Sequence, residues 1–570
     1  MGTIERDVII IGGGLTGLTT ALQLKKKGLT VAILEKSDRT GGQIATHSEQ
    51  GFLFESGPNT GSGASEEVME LYQSLTGKCE IEFAAKEAEN RWIWKKGKFH
   101  PLPSGLIGGV TTPLFTLSDK LRILGEPFRR KGSDPDETVA AMTVRRLGRS
   151  FLDYAVDPFL SGVYAGDPET LITRHALPKL YNLEQQYGSF IGGSIQKARE
   201  AMKQPASKAR KGIFSTRGGM EQLPRAMSTA IGGDHIFLSL TNVSVVPDRE
   251  TGHWNTTATQ QGRQLSFRSR HLVTATGAHQ LPEVLPFIDT AEMERLTRLN
   301  YAPVIQVAVG VKELAGLRFD AFGGLIPSRE KEDFLGILFP SACFSGRSPE
   351  KGMLFSFFMG GMRNSSYLDL SDREIEERVV RSFHRQLRFP DSKEPDLIRI
   401  FRHRYAIPQY ERSSEERFRT VTKLEKQYPG LHIAGNLRDG IGMGAPHHPG
   451  IPPGRGDSIR GGLQTVVPAP AGVLIFLELP DRFGCICRQR RDLSLPIVKE
   501  KLCCKDFQES IDFRCLCPFF SKVTAYIGHR AGYRSGRLLD GAFVFGSQCL
   551  LQRIQIGIIQ QGTVVQLPVQ

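Results

Sequence analysis

Residues 7–42 constrain this chain more than any other stretch. Asp7-Val8-Ile9-Ile10-Ile11 is a short β-branched run of the kind that forms a strand buried on both faces. Gly12-Gly13-Gly14-Leu15-Thr16-Gly17 follows directly. Leu18 to Leu24 has helical character and ends near Gly28, and Val31-Ala32-Ile33-Leu34 reads as a second strand closed by Glu35 and Lys36. Together they make a β-α-β unit of the size a dinucleotide-binding turn needs. Gly12 permits the tight strand-to-helix turn. Gly14 lets backbone approach a pyrophosphate, whose charge sits on the free N–H groups of the helix N-terminus. Gly17 lets the helix lie close to the strand, and Glu35 can accept hydrogen bonds from a ribose diol. Glycine-rich turns also arise for purely structural reasons, but here strand, helix, second strand and acidic residue fall in register.

Arg39-Thr40-Gly41-Gly42 comes next, and a nicotinamide-binding unit has no need of it. It resembles the Arg-x-Gly-Gly segment of the flavin amine oxidase superfamily, which lies along bound FAD. Gly57-Pro58-Asn59-Thr60 is a second glycine-containing turn further on. The expected cofactor is therefore FAD, held non-covalently, since no His or Cys stands in an obvious flavin-linkage motif.

The chain has 570 residues, enough for two to four domains with real cores. It is 40% hydrophobic and 23% charged, as in ordinary soluble globular proteins. No apolar run reaches the roughly 18–20 residues that span a bilayer. The strand begins so close to Met1 that no room is left for a leader, which suggests a cytoplasmic protein. The net charge of +13 includes the clusters Lys25-Lys26-Lys27, Arg129-Arg130-Lys131 and Lys208 to Lys211. Such runs are usually solvated faces, and they also favour anionic membranes or an acidic substrate. No nucleic-acid module is present in the pattern. Before residue 444 only Cys79 and Cys343 occur, which fits a reduced compartment. Cys485, Cys487, Cys503, Cys504, Cys515, Cys517 and Cys549 crowd the tail with spacings unlike those of zinc sites, so no metal is expected.

Further along, Glu66 to Leu75 reads as a short helix, and Asn90 to Pro103 as a hairpin around Lys95-Lys96-Gly97. Residues 105–210 read as mostly helical, with candidates at Leu117–Phe128, Thr138–Leu147 and Gly188–Lys203. The segment interrupts the α/β pattern, so it is expected to be an inserted domain, either an ordinary helical cap or a membrane-facing surface. Within it, Asp157-Pro158-Phe159-Leu160-Ser161-Gly162-Val163-Tyr164-Ala165-Gly166-Asp167-Pro168 has two glycines and two prolines, and turns are expected there.

This last stretch closely resembles the Gly-Val-Tyr-Ala-Gly-Asp segment of the protoporphyrinogen oxidases, FAD enzymes of heme synthesis. Arg91 with His100-Pro101-Leu102-Pro103 is similar to the family's segment carrying an arginine near the substrate's propionate. Phe214 to Pro224 is similar to its return into the FAD domain. Gly323-Gly324-Leu325-Ile326-Pro327 and Leu335 to Gly361 resemble its substrate-domain sheet. The resemblance covers residues 5–443.

The resemblance implies an α/β fold: a Rossmann-like FAD-binding domain (1–75, 211–295 and 411–467), a mixed-sheet substrate domain (76–104 and 296–410) and an inserted helical domain (105–210). Val243-Ser244-Val245-Val246 resembles the strand whose backbone meets the adenine side of FAD, with Val245 assigned to that contact. Thr276 and Gly277 end a strand where backbone passes the cofactor. Leu431 to Asn436, with Gly435 and Asn436, is the expected last strand of the FAD domain. Ile441 and Met443 lie where a helix N-terminus is expected to face the flavin and stabilise its reduced charge. Strands are expected at Val304–Val311, Gly336–Phe339, Met353–Met359 and Leu397–Tyr405, and a helix from Ser371 to Phe389. Leu325, Leu338 and Met359 are assigned to the apolar wall of the substrate cavity, with Arg91 gripping a carboxylate bidentately.

Beyond Gly444 the pattern departs from the family. Residues 445–455 contain four prolines, which forbid helix. Gly456-Asp457-Ser458-Ile459-Arg460-Gly461-Gly462-Leu463 then looks like the missing helix start, and residues 468–570 match nothing in the family. An insertion plus an altered reading frame is the simplest account, and a genuine extra domain the alternative.

The implied activity is oxygen-dependent oxidation of protoporphyrinogen IX to protoporphyrin IX, six electrons in three flavin cycles with hydrogen peroxide formed. The organic chemistry belongs to the cofactor, so no catalytic side chain is assigned. The alternatives are coproporphyrinogen III oxidation, another FAD-dependent amine oxidase or desaturase, and a flavin-binding but inactive product. Against an amine oxidase, no tryptophan other than Trp92, Trp94 and Trp254 occurs, and none is near the final FAD strand. The expected partners are a porphyrinogen, molecular oxygen, a peripheral membrane contact on the cytoplasmic face and a second copy of the chain.

Overall fold

The structure is a computed structural model that describes residues 2–103, 108–109, 111–202 and 209–438. Residues 439–570, which include Ile441, Met443, the proline-rich interruption and the cysteine-rich tail, lie outside the described residues.

The β-branched run near the N-terminus becomes the centre of a seven-stranded sheet. Strand Ile4–Ile11 pairs in parallel with Val31–Leu34 on one side and with Arg263–Thr274 on the other. Ile236–Phe237 extends the parallel set beyond Val31–Leu34, and Leu431–Ile433 adds in parallel to Arg263–Thr274. An antiparallel meander of Arg263–Thr274, His253–Gln260 and Leu240–Asp248 completes it. The central strand is buried on both faces for a simple reason: alternate residues serve two cores. Val8 and Ile10 pack with Leu18, Ala21 and Leu24 of helix Leu15–Lys26. Ile9 and Ile11 pack on the other side with Leu272, Leu281, Leu424 and Ile433.

The second large sheet has the order Leu397–Pro408, Tyr301–Val311, Met353–Gly360, Phe334–Leu338, Gly323–Leu325, Arg91–Lys95, Lys98–Pro101. Every neighbouring pair is antiparallel except Gly323–Leu325 with Arg91–Lys95. The hairpin from Arg91 to Pro101 turns at Lys96 and Gly97, with φ of 51° and 77°. Two positive φ values in a two-residue loop match the twist of the strands it joins. Helix Asp372–Leu387, opened by a capping box of Ser371 and Glu374, covers one face of this sheet through Ile375, Val379 and Phe383. The other face meets the first sheet's domain: Gln306 Nε2 donates to Glu55 O (2.7 Å), and Ser356 Oγ to Asn59 Oδ1 (3.1 Å).

Between residues 111 and 202 the described chain is helical, including Leu117–Leu124, Val139–Arg146, Asp157–Tyr164, Pro178–Tyr187 and Phe190–Ala201. Arg146, fully buried, donates to Glu126 Oε1 (2.7 Å), Glu184 Oε1 (2.9 Å) and Gly188 O (2.7 Å). Glu126 also accepts from Ser189 Oγ and from the N–H groups of Phe190 and Ile191, so the network anchors the start of Phe190–Ala201.

The stretch from Asp157 to Pro168, expected to turn, is mainly an α-helix. Pro158 stands in its first turn, where a missing N–H costs nothing. Gly162 sits mid-helix, where the tip of the Leu325 side chain comes close. Only at Ala165, left-handed with φ of 47°, does the chain turn away.

Candidate cofactor and substrate site

The first glycine turn is shaped by close approach. Gly12 has φ of +106°, and a Cβ at Gly17 would stand 1.9 Å from Gly12 O. Helix Leu15–Lys26 begins at Gly14 with no side chain capping its first N–H groups, so those around Leu15 and Thr16 remain open to an anion. A second glycine turn closes on it: Gly41 N donates to Gly13 O (2.8 Å), and a Cβ at Gly42 would lie 3.3 Å from Gly14 Cα. The Arg39 guanidinium bonds Thr40 O, Ile44 O and Gly42 O, so it fixes this second turn.

Glu35, buried at the tip of its strand, accepts from Gly13 N (2.6 Å) and Ser37 N (2.8 Å). It therefore locks the first turn. Lys36 beside it is exposed. Thr276 Oγ1 is buried without a hydrogen-bond partner, and its Cγ2 would be 3.2 Å from a Cβ at Gly12. Gly277 continues the same strand end. A Cβ at Gly435 would stand 3.6 Å from Thr276 O, so the end of Leu431–Ile433 lies beside it. Asn436 Oδ1 accepts from Tyr301 Oη (3.2 Å), which accepts from Ala278 N (3.0 Å). Gly57 to Thr60, with Pro58 exposed, joins strands Phe52–Glu55 and Gly61–Ala64, and Asn59 makes the contact to Ser356 described above.

These features fit a bound dinucleotide. Two glycine turns approach one another, a helix N-terminus is uncapped, and an orphan hydroxyl stands at the carboxyl ends of parallel strands, where open α/β sheets bind ligands.

Val245 keeps its side chain in the first sheet's core and lies opposite Thr256 on the edge strand Leu240–Asp248. Strand register slips between Thr241 and Ser244, which leaves Asn242 and Val243 outside the ladder. Leu240 N donates to Glu35 O, so this bulge lies at the Glu35 end. Val243, within the segment expected to meet the adenine side, is thus outside the ladder to His253–Gln260.

On the substrate side, strand register decides which residues share a face. Arg91 pairs with Gly323, Gly323 with Leu338, Leu338 with Ser356, and Ser356 with Ala308. Arg91 and Leu338 therefore stand on the face that carries the Ser356–Asn59 contact. Leu325, aligned with Gly336 and through it with Phe358 and Gln306, shares this face. The Arg91 guanidinium lies 5.8 Å from the centroid of the Phe322 ring.

Met359 does not share it. It pairs with Ile305 and Phe334, is 0% exposed, and packs beneath helix Asp372–Leu387 with Phe357, Ile375 and Val379. Its assignment to the cavity wall is corrected: a residue one place along a strand points to the opposite face. Phe358, half-buried beside Leu335, Met362 and Ile407, occupies the face that Met359 was expected to take.

The helical region meets the second sheet through Asp157. Its carboxylate accepts from Ser328 N (2.8 Å) and Ser328 Oγ (3.0 Å) and pairs with Arg363, which also reaches Asp167 (2.7 Å). A cavity of about 280 Å³ opens here, lined by Arg149, Asp153, Asp157, Arg329 and Arg363 among others. Arg149 and Arg329 both pair with Asp153, so each of these three arginines already has a carboxylate.

A family model described as flavin containing amine oxidoreductase matches residues 15–442. Protoporphyrinogen oxidase 2, chloroplastic/mitochondrial, of Arabidopsis thaliana is 30% identical over 472 residues, covering 77% of this chain and 91% of the relative. Protoporphyrinogen oxidase of Homo sapiens is 28% identical over 476 residues, covering 77% and 95%. The crystal structure of a candidate protoporphyrinogen oxidase from Exiguobacterium sp. 255-15 superposes with a TM-score of 0.63 at 21% identity, covering 78% of this chain and 96% of that one. A putrescine oxidase variant superposes with a TM-score of 0.56 at 14% identity, covering 77% and 94%, so the fold is shared with amine oxidases as well. With its paired glycine turns, its uncapped helix and its second sheet, the chain belongs to the flavin containing amine oxidoreductase family, has protoporphyrinogen oxidases among its relatives, and is an FAD-dependent oxidoreductase.

Proposed function

We propose that this enzyme oxidises protoporphyrinogen IX to protoporphyrin IX with molecular oxygen. The observation that carries the reading is the placement of Arg91: an arginine on the same sheet face as Leu338 and Leu325, the face that contacts Asn59. A porphyrinogen needs this combination, an apolar wall for the macrocycle and a guanidinium for a propionate. The relatives' printed activity supports the same substrate class.

FAD, when bound along the two glycine turns, supplies the two-electron oxidation and the transfer of electrons to oxygen. The protein's part is binding and exclusion of water. Arg91 orients the substrate by one carboxylate, Leu325, Leu338 and Phe358 present apolar surface to the ring, and the Asp157–Ser328–Arg363 contact holds the helical region against the sheet.

The same reading places the protein peripherally on an anionic membrane at its cytoplasmic face. Leu117, Leu121, Leu124 and Phe128 are 73%, 42%, 54% and 91% exposed. Their spacing puts them on one side of helix Leu117–Leu124 and the turn after it, next to Arg129, Arg130 and Lys131. An apolar stripe edged by cations suits a bilayer interface, where a poorly soluble porphyrin would be delivered. Among the described residues no helix is long and apolar enough to cross a membrane.

The test is direct. Purified full-length protein should show flavin absorbance, and adding protoporphyrinogen IX in air should raise porphyrin fluorescence faster than autoxidation. A faster rise with coproporphyrinogen III than with protoporphyrinogen IX would transfer the proposal to that substrate. Flavin absorbance with no rise for either would refute it.

A further inference from the structure

Arg417 is a buried cation with no ion-pair partner among the described residues. It is 1% exposed and is the fourth residue of helix Ser414–Gln427. Its Nε donates to Leu437 O (2.9 Å) and its Nη2 to Ser414 Oγ (3.1 Å), while Nη1 has no partner. Three costs coincide. Buried charges are normally paired. A cation near a helix N-terminus opposes the helix dipole. An unsatisfied buried N–H adds its own penalty. Burial pulls the guanidinium pKa down to about 10, opposed by Tyr410, Tyr301 and Glu411. Glu411 is already engaged by Asn300 Nδ2 (2.8 Å). Holding up Leu437 O needs only a neutral donor, so that contact does not explain a charge.

The position does explain it. Leu437 follows Gly435 and Asn436, and the residues there lie against Thr276, Ala278 and Tyr301 at the carboxyl ends of the first sheet's strands. The charge thus stands behind the Gly435–Asn436 end of the last strand, in a low-dielectric setting where it acts strongly. We propose that Arg417 is a positioning residue for the cofactor's electrostatics: its guanidinium, in ion-pair contact with no carboxylate among the described residues, offsets the negative charge that FAD carries and gains on reduction, and so raises the flavin's tendency to accept electrons. The inference rests on the flavin and is independent of which substrate is oxidised.

The holoenzyme and its R417Q and R417K variants are equilibrated with a two-electron reference dye, and the ratio of reduced to oxidised FAD is read by absorbance. R417Q should lower that ratio at least tenfold at pH 7, about 30 mV for a two-electron couple. R417K keeps the charge and should stay within threefold of the parent at pH 7. Lysine starts from a lower pKa than arginine, and the same burial should lower it further. The R417K ratio should therefore fall away from the parent's as pH rises, with Tyr301, Tyr410 and Glu411 the titratable neighbours facing the site from other segments. A ratio for R417Q within twofold of the parent overturns the proposal. If R417Q retains no FAD, the R417K series decides alone, and an R417K ratio parallel to the parent's at every pH overturns it.

Discussion

Gly162 lies so close to Leu325 that a Cβ added at position 162 would stand 2.4 Å from Leu325 Cδ2. One residue is the middle of a helix in the inserted region, and the other is on the cavity face of the second sheet. Gly162 to Ala should therefore act on the site more than on the fold. The clashing atom is the tip of a movable side chain, and alanine gains about 0.5–1 kcal/mol of helix propensity over glycine. Thermal stability should change little, while displacement of Leu325 should lower kcat/KM by about tenfold. A variant that loses stability with unchanged kcat/KM would contradict this.

Arg146 to Met should be severe. The substitution leaves Glu126 and Glu184 buried without their shared cation, although Arg145 still reaches Glu184 (2.8 Å). The expected cost is about 3–5 kcal/mol. Guanidinium unfolding followed by circular dichroism should show either a lower midpoint or an early transition from the helical region.

Asp7 predicts an acid limb in the stability curve. Thr30 Oγ1 (2.7 Å) and Thr30 N (2.8 Å) both donate to its carboxylate, and these hydrogen bonds hold its pKa below the ordinary value. A depressed folded pKa contributes stability above the unfolded value of about 3.9 and loses it as pH falls through the lower folded value. Asp7 to Asn should flatten that limb below about pH 4 and lower stability near neutrality. Unfolding midpoints of the two proteins from pH 2 to 7 would check it, and parallel curves would exclude the effect.

Leu124 and Phe128 should matter only when a membrane is present. Both are exposed, so replacing them with Glu should leave the unfolding midpoint unchanged. Burial of such side chains contributes about 1.5–3 kcal/mol each, so the double variant should bind anionic vesicles at least tenfold more weakly in a sedimentation assay. Equal binding by variant and parent would remove this stripe from the interface.

The cofactor half of the site was legible because its determinants are local. Gly12, Gly14, Gly17 and Glu35 fall within one β-α-β unit, and the hydrogen bond from Gly13 N to Glu35 closes within it. Strand, glycine turn, helix and strand each have a period or residue type that only a few conformations satisfy. The substrate half was less legible. Met353–Gly360 is buried along nearly its whole length, so its sequence carries no alternation to tell Phe358 from Met359. Only pairing with Tyr301–Val311 and Phe334–Leu338 set which of them faces the crevice. Asp157 to Tyr164 read as turns because glycine and proline are ambiguous in isolation. A helix's first turn tolerates Pro158, and the left-handed Ala165 ends the helix, so the segment is helical between them.

Sequence by itself thus determined the β-α-β unit, the FAD requirement carried by the family resemblance and the positions of most strands, since each follows from contacts among near neighbours. Tertiary structure alone decided the two faces of the second sheet, the place of Val243 and the burial of Arg417. Facing and charge balance depend on which distant segments come together, and no short window of sequence records that.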